Sequence, residues 1–170
     1  EHQSEPKDKR EALVVFAAIS LVSFLILLLL GFRILTEGHG RSANNVFAAF
    51  CFLAAYVAFV DYGARLAATM DQAMVWSRLA AGWPFGLATF LHFTVLLGLS
   101  RRRLQRIVAA GSYLLAVVMT VSYWHAIDAG MTVISLYGYT LVSPITSAWP
   151  FWIMPAGYNL MHIMSAAILI

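Results

Sequence analysis

Two histidines in apolar surroundings carry the side chains best suited to hold a cofactor. His92 and His162 occur in separate apolar segments, and Cys51 is the single cysteine. Because a helix rises about 1.5 Å per residue, both imidazoles are predicted about 20 Å below the outer ends of their helices. Neutral imidazole is a common ligand of haem and metal ions. Since few further ligands accompany the pair, we predict no metal or cofactor, with haem or quinone as the alternative. The predicted interhelical polar residues are Cys51, Thr89, His92 and His162.

A group of charged and aromatic residues is predicted near the outer membrane surface. Asp61 and Arg65 lie one helical turn apart, and Arg78 lies between Trp76 and Trp83 in the sequence. An ion pair between Asp61 and either arginine that joins the second and third helices is the favoured interpretation, because intramembrane charges commonly pair. A polar anchor for a small ligand that enters from outside is the alternative. The candidate ligand-binding residues are Asp61, Arg65, Trp76, Arg78, Trp83, Tyr158 and Asn159.

Motifs for covalent chemistry are not found in the sequence. It contains no Gly-rich phosphate loop, no His-Glu-x-x-His, no Gly-x-Ser-x-Gly and no pair of carboxylates placed for acid and base work. We therefore expect no catalytic residues and no enzyme activity in this chain.

The composition is that of a membrane protein. Hydrophobic residues make up 61% of the 170 residues and charged residues only 11%, which leaves too little polar surface for a soluble domain. Arg101, Arg102, Arg103 and Arg106 form the one dense basic cluster. Such clusters concentrate in cytoplasmic loops and attract anionic lipid headgroups, so we predict an amino end outside and no nucleic-acid partner.

The predicted fold class is all-α, a polytopic bundle of five membrane-spanning helices. Each apolar stretch is long enough to cross about 30 Å of hydrocarbon. Pro84 is expected to kink the third helix because proline lacks the backbone N–H. The predicted organisation is a polar extracytoplasmic tail at 1–11, a helical bundle at 12–170 with spans at 12–33, 44–65, 75–99, 106–124 and 149–170, and an outer loop at 127–148.

Heptad spacing indicates which helix faces point into the bundle. Polar or small residues recur at alternating steps of three and four on three of the helices, and polar groups in a bilayer generally face protein or water. The predicted inward stripes are Asn44, Phe47, Cys51, Ala54, Ala58, Asp61 and Arg65; Arg78, Gly82, Phe85, Thr89 and His92; and Pro155, Asn159, His162 and Ala166.

The third helix carries a pattern that is similar to a known family. Its elements are Trp76-Ser-Arg-Leu, Trp83-Pro and Phe90-Leu-His-Phe, followed by the basic turn, and Trp149-Pro-Phe-Trp opens the fifth helix. From about Asn44 onward, the chain resembles the seven-helix amino-terminal sensor region of bacterial histidine kinases and diguanylate cyclases. That family has seven helices and a cytoplasmic output, so the five spans here lead us to expect a fragment of a longer sensor. The alternative is a five-helix protein that keeps only the sensing bundle.

The resemblance implies a function in signal transduction. We expect a sensory or ligand-binding module in the bacterial inner membrane that signals to a cytoplasmic output, in the manner of a two-component system, by helix rearrangement. Its expected partners are the lipid bilayer, a small ligand of unknown identity, and a second copy or a larger membrane complex. The alternatives are an accessory subunit that scaffolds an electron-transfer or photosynthetic complex, and a transporter fragment.

Overall fold

The computed structural model describes residues 7–38, 41–128, 131–136, 139–144 and 153–169. These ranges form helices joined by short turns, together with one β-hairpin. The elements in chain order are α1 (Lys7–Glu37), α2 (Ser42–Arg65), α3 (Met70–Ala80), α4 (Trp83–Gly98), α5 (Arg102–Asp128), β1 (Met131–Leu136), β2 (Tyr139–Pro144) and α6 (Ile153–Leu169).

Four helical segments are long and apolar enough to cross a membrane within the described ranges, which supports the predicted membrane protein. They are Val14–Glu37, Ser42–Arg65, Met70–Gly98 and Arg102–Asp128. The fifth predicted span corresponds to α6, which has 17 residues. Residues 149–152 lie outside the described residues, so the fifth span stays a prediction. The predicted polar tail overlaps the start of α1 at Lys7, and its residues 1–6 also lie outside the description.

Aromatic contacts show that α2 runs antiparallel to both α1 and α4. In each helix pair, residues with higher numbers on the first helix contact residues with lower numbers on the second. The ring pairs, with their centroid distances, are Phe24–Phe59 at 5.4 Å and Phe32–Phe52 at 5.1 Å between α1 and α2, and Phe47–Phe93 at 4.8 Å and Phe50–Phe90 at 5.4 Å between α2 and α4.

Helix α6 runs parallel to α4. The Trp83 and Tyr158 ring centroids lie 6.0 Å apart near the starts of the two helices. Near their ends, a Cβ atom at Gly98 would lie 2.5 Å from the Ile168 carbonyl oxygen. The end of α6 is therefore on the same side of the bundle as the turn that carries Arg101. We call this side the arginine end and the opposite side, where the hairpin follows α5, the hairpin end.

The core lies where α4, α5 and α6 meet. Ala88 and Ala116 are fully buried, and their small side chains let α4 and α5 approach closely. The buried cluster consists of Ala88, Leu91, Val95, Ala116, Met119 and Met161. By contrast, α1 packs mainly against α2 and exposes many large apolar side chains, as expected of a helix surrounded by lipid.

The predicted third span is two helices instead of one. Ala81 and Gly82 separate α3 from α4, and we call these two residues the interruption. Pro84 lies in the first turn of α4 and has no N–H to donate to the Ala80 carbonyl, which is why the regular helix stops here. The local bonds are of the tighter 3₁₀ type, with Ala81 N donating to Arg78 O at 3.1 Å.

A β-hairpin occupies most of the segment that we predicted as an outer loop. Strands β1 and β2 pair antiparallel, with Met131 opposite Pro144 and Leu136 opposite Tyr139. Both strands contain β-branched residues, which favour extended structure. The hairpin lies against α5, and α5 itself extends to Asp128, beyond the predicted end at 124.

Candidate functional site

The interruption frees backbone carbonyl groups that a continuous helix would satisfy. In a continuous helix, the Leu79 carbonyl would accept from the Trp83 N–H and the Ala81 carbonyl from the Phe85 N–H. Instead, Gly82 N donates to Leu79 O at 3.4 Å and Phe85 N donates to Gly82 O at 3.2 Å, so the Leu79 carbonyl keeps one long backbone bond of the 3₁₀ type. Because lipid offers no hydrogen-bond donors, freed carbonyls within a span need donors from the protein.

Two hydroxyl groups from different helices donate further hydrogen bonds to the carbonyls at the interruption. Tyr56 of α2 donates its Oη–H to the Leu79 carbonyl at 2.5 Å. Thr120 of α5 donates its Oγ1–H to the Ala81 carbonyl, which is buried, at 3.0 Å. The interruption is thus held from two sides by directional bonds, and we call Tyr56, Leu79, Ala81 and Thr120 the interruption site.

Aromatic packing adds to these bonds and holds α3 against α2. A Cβ atom at Gly82 would lie 3.1 Å from Cε1 of Tyr56, so the tyrosine ring lies directly against the interruption. In the last turn of α2, the Trp76 indole lies on Gly63, where a Cβ atom would overlap it. The Trp76 ring also meets Phe59 edge to face at 5.7 Å. Trp76 is therefore part of the α2–α3 contact.

The position of Asp61 corrects the expectation that it joins the second and third helices. Arg65 Nε donates to Asp61 Oδ2 at 2.7 Å within α2, and Ser20 of α1 donates to the same oxygen. The Arg65 guanidinium lies 5.7 Å from the Phe16 ring centroid, also on α1. Residues four apart share a helix face, and on α2 this face is turned to α1. Asp61 and Arg65 therefore connect α1 with α2.

Arg78 has a partner that the sequence analysis did not assign to it. Its Nη2 donates to Asp128 Oδ1 at 3.4 Å, which joins the first half of the interrupted span to the end of α5. The Arg78 side chain is 53% exposed and that of Asp128 is 63% exposed. Solvent screening makes such an exposed pair weak, so a charged ligand can compete for the guanidinium.

The predicted residues on α6 do not form the inward face that we expected. Asn159 and His162 are exposed, and Gly157, Met161 and Ser165 are buried instead. Asn159 Nδ2 donates to Pro155 O at 2.8 Å within the helix. Gly157 packs on the Met119 side chain of α5. Small and apolar residues, rather than the polar ones, therefore determine which side of α6 meets the bundle.

His162 does not make the interhelical contact that we predicted for it. Its Nδ1 bonds the Tyr158 carbonyl one turn earlier at 3.0 Å, and its ring lies 4.2 Å from the Tyr158 ring. Tyr158 in turn contacts Trp83 of α4. The tyrosine ring therefore makes one contact between α6 and α4, in addition to the approach of Ile168 to Gly98.

His92 belongs to a polar group between α4 and α5. Its Nδ1 lies 3.4 Å from the hydroxyl oxygen of Tyr113 on α5. That hydroxyl donates to Thr89 Oγ1 at 3.4 Å, and Thr89 donates to the Phe85 carbonyl at 2.7 Å. Cys51 is buried on α2. Among the residues that the structure describes, no group of three or more His, Cys, Asp or Glu side chains is placed to hold a metal ion.

The seven candidate ligand residues separate into four contacts. Asp61 and Arg65 face α1, Trp76 packs on α2 while Arg78 pairs with the end of α5, and Trp83 meets Tyr158 of α6 beside Asn159. Sequence reasoning missed Tyr56 and Thr120. Pro84 predicted an irregular helix, but which hydroxyl groups reach the freed carbonyls depends on the packing of three helices.

Comparisons with models of protein families, with curated protein sequences and with solved structures find no match to this chain.

Proposed function

We propose that this chain is the membrane-embedded sensory and ligand-binding module of a bacterial signalling protein, which passes its signal to a cytoplasmic output by helix rearrangement. The observation that supports this function is the interrupted span, whose Leu79 and Ala81 carbonyls accept hydrogen bonds from Tyr56 and Thr120 on two other helices. A stretch of 3₁₀ geometry within a helix commonly marks a hinge. The chain itself performs no covalent chemistry in this proposal.

The interruption divides the third span into halves with different surroundings. Helix α3 contacts α2 through Trp76 and the end of α5 through Arg78. Helix α4 contributes Ala88, Leu91 and Val95 to the core with α5 and α6. A ligand that displaces α3 would therefore change the angle at the interruption while α4 transmits the change toward the arginine end.

The energies at the interruption suit a switch. Hydrogen bonds within membrane proteins contribute on average about 0.6 kcal/mol and reach about 1.7 kcal/mol. Breaking the Tyr56 and Thr120 bonds therefore costs less free energy than a ligand supplies when it converts a 1:99 equilibrium into 99:1. That conversion requires the ligand to bind one state roughly 5.5 kcal/mol more tightly than the other. A ligand that binds the second arrangement a few kcal/mol more tightly than the first is therefore enough to select it.

The ligand region in this proposal is the hairpin end of α3. Arg78 offers an exposed guanidinium that forms a weak pair with Asp128. In this proposal the guanidinium binds the anionic or polar group of a small ligand. The proposal places this end outside the bacterial inner membrane, with five spans and the arginine end in the cytoplasm, as the basic cluster and the family resemblance favour.

Distance measurements between spin labels test the proposal. One label replaces Ser77 on α3 and the other replaces Ser100 at the arginine end, in a Cys51→Ala background. Tyr56→Phe combined with Thr120→Val should broaden or shift the distance distribution, because both restraints on the interruption are removed. Tyr62→Phe removes a hydroxyl group from the same helix without touching the interruption, and should leave the distribution unchanged. An identical distribution in all three proteins would contradict the proposed hinge.

The accessory-subunit alternative is favoured by one observation. Asn159 and His162 present polar groups on the exposed face of α6, and a larger complex would shield them from lipid. An absorption spectrum of the purified protein distinguishes the two functions. We expect a colourless protein, whereas a Soret band that is lost in both His92→Ala and His162→Ala would favour the electron-transfer subunit.

A further inference from the structure

We infer that the arginine end carries a binding surface for the phosphate groups of anionic lipids, formed by Arg101, Arg102, Arg103 and Arg106. All four side chains are exposed. None of them forms an ion pair with an aspartate or glutamate within the ranges that the structure describes. Four uncompensated guanidinium groups on six consecutive residues attract anions strongly, and guanidinium matches phosphate oxygens in a bidentate geometry.

The position of the arginines on α5 favours a lipid over a soluble anion. Residues 103, 106, 110, 114, 117 and 121 follow one another in steps of three and four and therefore share a helix face. Leu114, Val117 and Val121 on this face are exposed, while Ser112, Ala116 and Met119 on the opposite face are buried. Arg103 and Arg106 thus terminate an apolar stripe that faces the acyl chains, at the level where the headgroup phosphates lie.

The backbone around the cluster is held in place. Gln105 Nε2 donates to the Leu99 carbonyl at 2.5 Å, and Gln105 N donates to the Arg101 carbonyl at 3.0 Å. These bonds close the turn between α4 and α5 and begin the helix at Arg102. The positive end of the α5 dipole then lies beside the arginines and adds to their attraction for a phosphate.

Lipid titration followed by native mass spectrometry tests this surface in the full chain. The probe is phosphatidylglycerol, with phosphatidylcholine as the neutral reference. The double variant R103Q/R106Q should bind phosphatidylglycerol about ten- to thirtyfold more weakly, since each basic residue near a membrane surface contributes about fivefold. The affinity for phosphatidylcholine should change little.

The matched control is R33Q/R41Q, which removes two arginines at the turn between α1 and α2, also at the arginine end. Arg33 already pairs with Glu37 at 3.0 Å, so this double variant should lose no more than the roughly fivefold that Arg41 alone contributes. Equal losses in the two double variants would show general charge attraction and overturn a localised surface. Unchanged affinity in R103Q/R106Q would overturn it as well.

Inorganic phosphate added at constant ionic strength distinguishes a lipid from a soluble anion. Chloride and phosphate should displace phosphatidylglycerol equally poorly, because neither brings an acyl chain to the apolar stripe. Selective displacement by phosphate would contradict the lipid assignment. Should the double variant fail to fold, R103Q and R106Q alone replace it, each with an expected loss of about fivefold.

Discussion

At the scale of residues, polar side chains in this protein connect neighbouring helices at single defined points. Asp61 is bonded by Arg65 from its own helix and by Ser20 from α1. With its side chain 43% exposed, the carboxylate is partly screened, so the interaction is worth less than that of a buried pair. Its role is to align α1, which has few other neighbours, on α2.

A double-mutant cycle measures this alignment. Ser20→Ala and Asp61→Asn should each lower the thermal stability in detergent, and their coupling energy should be about 0.5 to 1.5 kcal/mol, the usual range for one hydrogen bond. Thermal unfolding followed by circular dichroism provides the measurement. Asp71→Asn is the control, because Asp71 is exposed in the first turn of α3, and it should show no coupling to Ser20→Ala. Additive effects of the first pair would disprove the Ser20–Asp61 contact.

Glycine positions make a second test at this scale. Gly63→Ala places a methyl group against the Trp76 indole, so the indole must move and the protein should lose roughly 1 to 3 kcal/mol of stability, as overpacked sites do. At Gly86 and Gly111 an added Cβ meets nothing within 4 Å. Alanine there should be neutral or stabilising by about 0.5 to 1 kcal/mol, because glycine is the poorer helix former. Equal stability of Gly63→Ala and Gly86→Ala would contradict the Trp76 packing.

At the scale of elements, the interruption of the third span is the feature that separates this bundle from a set of regular helices. Pro84 removes one helical bond, and the adjacent carbonyls turn to Tyr56 and Thr120. Helix α4 has 16 residues, and each rises about 1.5 Å. The interruption, which directly precedes α4, therefore lies about 24 Å from the end of α4 at the arginine end. It therefore lies nearer the hairpin end, where a ligand that enters from that side would act on it.

Making the third span a continuous helix should make the hydroxyl groups dispensable. Thr120→Val should cost about 0.5 to 1.5 kcal/mol in the natural chain and clearly less in a Pro84→Ala background, because a regular helix would satisfy the Ala81 carbonyl internally. Equilibrium unfolding in mixed micelles measures both values. The same cost in the two backgrounds would show that Thr120 contributes through packing alone.

At the scale of the whole molecule, the helices alternate in direction from α1 to the interrupted third span and on to α5, and α6 runs parallel to α4. This arrangement brings Gly98 and Ile168 together at the arginine end and leaves the hairpin at the other end. The contacts determine the relative directions of the helices, while the distribution of arginines favours one orientation in the membrane.

Labelling of intact cells tests that orientation. In a Cys51-free chain, a cysteine that replaces Ser135 should react with an impermeant thiol reagent from outside, whereas one that replaces Ser100 should react only after the membrane is opened. The reason is that Ser135 belongs to the hairpin and Ser100 precedes the arginine cluster. The opposite labelling pattern would reverse the proposed topology and move the ligand region to the cytoplasm.

The sequence by itself determined that the chain forms apolar helices and where the third one is irregular. Both follow from local properties, namely the length and hydropathy of each stretch and the missing N–H of Pro84. Helical periodicity also identified residues that share a face, such as Asp61 and Arg65. It did not identify the neighbour of that face, because α1 and α3 both adjoin α2.

Only the tertiary structure decided which residues on different helices contact one another. Ser20 is bonded to Asp61, Asp128 pairs with Arg78, and α6 turns Met161 inward instead of His162. Close packing in lipid selects small and well-fitting side chains, and a polar residue that bonds its own helix backbone can remain on the outside. Such choices depend on the shapes of several helices at once, so no single stretch of the sequence contains them.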